Sequence, residues 1–275
     1  MAIGDISLTS GMRSNLLSLQ GTAKSIDQTQ NRLSSGKRVN TPLDNPTNYF
    51  AAQGHVERAS DLSVRKDGMA EAIQMVKAAD TGIKAITSLI EAAKGVAGAA
   101  LATSDAAERS TYTTTFNTLL SQVSQLASDS GYRGTNLLTA GSQTVEFGQR
   151  TNAATLQISG FNATATGLTI QSTVATAWSA SGSSAISSSS SELESALSFL
   201  RSKSSSLSAN LSVVTTRQDF TNSMINTLQT GADNLTLADT NEEGANMLML
   251  QTRQNLGITS LSMASQSAQA VLRLF

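Results

Sequence analysis

Ser34 and Lys37 stand in the order Ser34-Ser35-Gly36-Lys37, the S-x-x-K spacing in which an amine can draw the proton from a serine nucleophile. The companion segments S-D-N and K-T-G do not occur in the sequence. Gly36 followed by Lys37 and Arg38 reads more simply as a helix end with basic residues at its negative pole. His55 lies near Asp44, Glu57 and Asp61, but oxygen-ligand metal sites gather several carboxylates from one loop, and this spacing does not. Asp239, Glu242 and Glu243 read as the start of a helix rather than a calcium loop. Neither a glycine-rich phosphate or dinucleotide loop nor a G-x-S-x-G elbow is present.

Composition narrows the field further. With no cysteine there is no thiolate catalysis, disulfide or Cys-based zinc site, and a single histidine excludes any arrangement of two imidazoles. Charged residues make up 14% of the 275-residue chain, against about 25% in an average globular protein. The 19 Lys+Arg and 20 Asp+Glu leave a net charge of −1, which gives nucleic acid no electrostatic footprint. Hydrophobic residues, at 39%, suffice for a packed core. The sequence therefore predicts no catalytic, cofactor-binding or metal-binding residue, no cofactor, and a protein that is not an enzyme. The N-terminus lacks the cationic start and apolar run of a signal peptide, and Asn255–Leu272 is too rich in Ser and Gln for a membrane span.

The dominant pattern is helical spacing, in five blocks. Met12, Leu16, Leu19, Ala23, Ile26, Gln30 and Leu33 step by four and three, a heptad seam with one polar interruption. A second block runs from Met69 to Ala97 through Ile83, Ile86 and Ile90, and a third from Tyr112 to Leu126. The fourth holds one register from Leu193 to Leu235, which at 1.5 Å per residue makes a rod of roughly 60–65 Å. In the fifth block, Leu250, Leu261, Ala264, Ala268, Val271 and Phe275 share one seam, while Met249, Leu256, Met263 and Ala270 form a second. Two seams imply neighbours on two sides.

Between the third and fourth blocks the period drops to two. Thr144–Phe147, Thr155–Ile158 and the third candidate Gly167–Ile170 predict a small β-meander over about 143–170. Trp178 to Ser191 is serine-rich and predicts a loop, after which Glu192 and Glu194 open the long helix. The expected fold is mainly α, a long antiparallel helical bundle or coiled coil formed by the N- and C-terminal halves, with the β-meander in the centre. Its segments are a terminal helix over 1–42, the first part of the bundle over 43–178, a serine-rich reversal over 179–191, the long helix over 192–240 and a second terminal helix over 241–275. Pro42 and Pro46 separate the first helix from the second.

The terminal blocks are apolar stripes at opposite ends of the chain. One such pair buries too little area to offset its ordering entropy, so the sequence predicts self-assembly. The expected interface residues are Leu16, Leu19, Ile26 and Leu33 with Leu250, Leu256, Leu261, Val271 and Phe275.

Three segments carry a family resemblance. Arg32-Leu33-Ser34-Ser35-Gly36-Lys37-Arg38-Val39-Asn40, followed by Asp44-Asn45-Pro46, resembles the N-terminal signature of bacterial flagellins, in the compact form of alphaproteobacteria. Gly131-Tyr132-Arg133-Gly134-Thr135-Asn136-Leu137-Leu138 resembles the turn after their third helix. The ending from Ala245 through Gln251, Leu256, Ala264 and Gln266-Ser267-Ala268-Gln269 to Leu274-Phe275 is similar to their C-terminus. The resemblance implies a subunit that polymerises into the helical flagellar filament, with 1–42 and 241–275 in the inner tube and the serine-rich turn in place of a variable domain. It implies an extracellular location reached by flagellar type III export without a cleaved signal peptide. The implied partners are other copies, flagellin paralogues, hook-associated junction and cap proteins and an export chaperone over the C-terminal block; neither nucleic acid nor membrane is expected. It does not extend to Leu89–Val96, where many flagellins carry an arginine-rich helix. A hook–filament junction protein, with similar terminal helices, is the alternative.

Overall fold

The computed structural model describes residues 10–148, 154–173, 175–180 and 183–272. Among them six helices and two strands follow in the order α1 (Ser10–Ser35), α2 (Pro46–Ala102), α3 (Ala106–Asp129), β1 (Ser142–Glu146), β2 (Thr155–Ser159), α4 (Ala175–Ala180), α5 (Ser183–Thr236) and α6 (Thr240–Leu272). The chain divides into two compact units, one made of Arg58–Asn226 and the other of Met1–Glu57 with Thr227–Phe275. Helices α2 and α5 each contribute to both.

The Arg58–Asn226 unit is a helical bundle built on the expected seams. Every position of the Met69–Ala97 block that steps by three and four is buried, and Phe116 and Val123 of α3 join the same core with Leu193, Leu200, Leu207 and Val214 of α5. Each buried Ile or Leu of this core contributes about 1.5–3 kcal/mol. Helices α2 and α5 run antiparallel. The Ser204 hydroxyl donates to Asp80 at 3.0 Å, and the Lys94 ammonium donates to Glu194 at 2.7 Å. By length and composition α2 is apolar enough to cross a membrane; its Ile83, Ile86 and Ile90 are packed into this core.

Helix α3 starts on Asp105, whose carboxylate accepts the Ala107 N–H at 2.7 Å. At its other end Asn136 donates to the carbonyls of Ala127 and Ser128, satisfying acceptors that a helix terminus leaves open. The turn that delivers Asn136 has Arg133 and Gly134 at positive φ, a conformation that glycine adopts freely at the second of these positions. The β-segment is one antiparallel hairpin, with Val145 opposite Leu156 and Ile158 opposite Gln143; Val145 and Ile158 face the core. Arg217 lies over the Phe147 ring at 5.2 Å, and Arg65 pairs with Glu146.

Two local expectations fail here. Gly167–Ile170 is not a third strand: Leu168 and Ile170 donate back to Thr164 and Ala165 in a turn, with Thr169 at φ 58°. Nor are Trp178 and the serine run a loop. Trp178 is fully buried in α4 with its ring 5.0 Å from Phe116. Residues 183–191 are the first turns of α5, so Glu192 and Glu194 lie inside the helix rather than at its start. Ile186 and Ser189 bury one face of those turns, and the hydroxyls of Ser188, Ser189 and Ser191 bond to the carbonyls four residues back. A buried face overrides serine's weak helix propensity.

Candidate functional site

In the unit of Met1–Glu57 with Thr227–Phe275, two connectors set where the terminal helices leave. Helix α1 stops at Gly36, whose φ of 69° an L side chain resists. The chain then runs beside the segment after α5: Arg38 and Val39 N–H groups donate to the Thr236 carbonyl, and Ala238 donates to that of Gly36. Asp44 accepts from the backbone of Asn40 and Thr41 and from the Thr41 hydroxyl. The backbone N–H of Thr41, then that of Asn40, holds this carboxyl below its ordinary value. Asn45 caps α2 by accepting the Asn48 N–H, and Pro46 takes the first helical position, where no N–H is needed. Asp239 caps α6, accepting the Asn241 and Glu242 N–H groups, and Glu242 and Glu243 fill its first turn.

From these anchors α1 and α6 pair along their length. Asn15 donates to the Ser260 hydroxyl at 3.2 Å and Arg32 donates to Glu243 at 3.1 Å. Gly257 sits against Leu19, so closely that a Cβ there would lie 2.7 Å from the leucine methyl. This antiparallel register sets Ile26 level with Leu250.

The pair uses a different stripe of α1 from the one expected. Met12 is buried and Leu19, Ala23 and Ile26 are half-buried, but Asn15 and Thr29 are covered where Leu16 and Gln30 of the expected stripe stay exposed, and Thr22 lies deeper than Ala23. A three–four repeat through Met12, Leu19 and Ile26 can take either neighbour, and here the polar one lies deeper. Thr22 satisfies its buried hydroxyl by donating to the Ser18 carbonyl. Asn15, Thr22, Thr29 and Gly257 are the residues the hydrophobic pattern misses; the signal that marks them is small side chains at heptad spacing.

Of the expected interface residues, Leu19, Ile26, Leu250 and Leu261 are half-buried, while Leu16 and Leu33 remain exposed. The side chain of Val271, and all of Phe275, lie outside the described residues. The second seam of α6 is uncovered, with Met249 53%, Leu256 66% and Met263 58% exposed. At about 100° per residue these fall on a different face from Leu250. Leu248, Ile258 and Leu17 are exposed as well. A shallow groove of ≈ 470 Å³ along this face is lined by Ala245, Leu248, Met249, Thr252, Arg253 and Leu256.

The residues that spacing singled out for chemistry are spent on structure. The Ser34 hydroxyl donates to the Asn31 carbonyl of its own helix. The ring of His55 lies against Gly231, and no cluster of three metal-ligating side chains occurs among the described residues.

The family model for the bacterial flagellin N-terminal helical region matches residues 6–144. The chain belongs to the bacterial flagellin family. It is 27% identical to flagellin FljK of Caulobacter vibrioides, with all of both chains covered. It is also 27% identical to a flagellin of Brucella melitensis, over 94% of this chain and 95% of that one. This flagellin is therefore a structural subunit that polymerises into the extracellular flagellar filament. The named relatives are flagellins, and nothing favours the junction protein.

Proposed function

We propose that this flagellin polymerises through the outward faces of its terminal helices: Leu16 and Leu33 of α1 with Met249, Leu256 and Met263 of α6. One observation carries the reading. The face of α6 turned away from α1 holds large apolar side chains that nothing among the described residues covers. Exposed contiguous apolar surface of this kind marks an interaction site, and a homopolymer supplies identical copies to cover it. Leu19, Ile26, Leu250 and Leu261 act one step back, holding the two helices in register. Val271 and Phe275, which by spacing share the seam of Leu250 and Leu261, take part in the assembly on sequence grounds.

The reading is mechanical, and the chain performs no catalysis. Before assembly the same face of α6 needs cover, which is the role of an export chaperone; export uses the flagellar type III route, without a cleaved signal. Paralogues, junction and cap proteins engage the same terminal helices at the ends of the filament.

Leu256→Lys tests the interface. The position is exposed, so monomer stability should change by less than about 0.5 kcal/mol. Burying an unpaired ammonium between subunits should raise the concentration needed for polymerisation at least about 100-fold. Sedimentation and electron microscopy read the outcome, and filaments formed at the wild-type concentration would overturn the assignment.

A further inference from the structure

The described methionines are not scattered. Met12, Met69 and Met75 are buried, Met224 and Met247 are half-buried, and the two exposed ones, Met249 and Met263, both lie on the outward seam of α6 with Leu256 between them. A thioether on an exposed face is open to two-electron oxidation, whereas one packed in a core is shielded.

We infer that Met249 and Met263 are oxidative modification sites that control subunit assembly, their substrate partner being a small hydroperoxide. The inference rests on the assembly reading above. A sulfur lone pair attacks the distal oxygen of the hydroperoxide, the S–O bond forms and the O–O bond breaks. Sulfur loses two electrons to the peroxide, whose remaining oxygen takes up the proton and leaves as water or alcohol. The product sulfoxide carries a strong hydrogen-bond acceptor where a flat apolar surface stood. Covering it with a second subunit leaves that oxygen without a partner, which association must then offset. Protection runs the other way in the polymer, where a neighbouring copy covers the same thioethers. Oxidation thus acts on the unassembled subunit and not on the finished filament, and reduction of the sulfoxide reverses it.

The test uses the full-length protein. Monomer and preformed filaments are treated with hydrogen peroxide, oxygen uptake at each methionine is read by peptide mass spectrometry, and seeded polymerisation is followed by light scattering. In the monomer Met249 and Met263 should gain one oxygen each while Met69 and Met75 do not, and in filaments all four should stay reduced. Oxidised monomer should polymerise at least about tenfold more slowly, a rise of about 1.4 kcal/mol in the barrier to subunit addition. Methionine sulfoxide reductase should restore the rate. The double variant Met249→Leu, Met263→Leu should polymerise equally well with and without peroxide. Wild-type oxidised monomer that polymerises at the untreated rate overturns the inference, as does a double variant that peroxide slows as much as wild type. Leu256→Lys separates the two levels. If that variant polymerises normally the interface itself is wrong; if it fails while oxidised wild type assembles, only the redox control is wrong.

Discussion

The same heptad-like spacing produces two very different helix contacts in this flagellin. In the Arg58–Asn226 unit the seams are dry: Ile83, Ile86 and Ile90 of α2, Phe116 of α3 and Leu193 and Leu200 of α5 are all nearly inaccessible to solvent. Between α1 and α6 the seam carries Asn15, Thr22, Thr29, Gly257, Ser260 and the Arg32–Glu243 ion pair. The bundle spends its apolar residues on itself, whereas the terminal pair leaves Leu17, Leu248 and Leu256 facing outward. Period alone does not decide whether a helix pair is a finished core. What decides it is which residues of the stripe are turned inward, and the terminal pair turns the weaker set inward.

Damage to each region should therefore read out differently. Phe116→Ala should have the largest effect. It removes a fully buried ring packed on Trp178 and should cost about 3–5 kcal/mol of bundle stability. Thermal denaturation followed by Trp178 fluorescence measures it, and a loss below about 1 kcal/mol would mean that the core is looser than its burial indicates.

Gly257→Ala should come next, and should act only on the terminal pair. The new Cβ would crowd Leu19 at 2.7 Å, and forcing the helices apart should cost about 1–3 kcal/mol. Hydrogen exchange should report faster opening of α1 with the bundle midpoint unchanged; a shifted bundle midpoint would merge the two regions into one cooperative unit. The smallest effect belongs to Asp44, in the loop between α1 and α2. Its folded carboxyl titrates below the ordinary 3.8, so its contribution is fully present above that value and is lost as pH falls through the lowered one. Asp44→Asn should therefore flatten a slight acid sensitivity of the loop, read by amide chemical shifts of Asn40 and Thr41 between pH 5 and about 2. Identical acid titrations in wild type and variant would remove Asp44 from the account.

Much of the bundle was legible because its seams are monotonous. From Met69 to Ala97 and from Leu193 to Leu235 every expected position is buried or half-buried. Trp178 and the serines after it misled because local composition says nothing about a distant partner: Phe116 gives Trp178 a place to pack, and Ile186 anchors the serines in α5. In α1 the pattern located Leu19 and Ile26 but not the choice between Leu16 and Asn15. That choice depends on Ser260 and Gly257 across the pair, more than two hundred residues away in the chain. The apolar second seam of α6 was visible from Met249, Leu256 and Met263 alone, because a helix with two stripes can turn only one toward a single partner.

Residue-resolved hydrogen exchange on dilute monomer and on filaments tests the central claim most directly. The account predicts that amides around Ile83–Ile90 are protected in both states. Those of α1 and α6 should exchange at least about 100-fold faster than these in the monomer and become protected on polymerisation. Terminal helices as protected in the dilute monomer as the Ile83–Ile90 turns would contradict it, since they would then be complete without a neighbour.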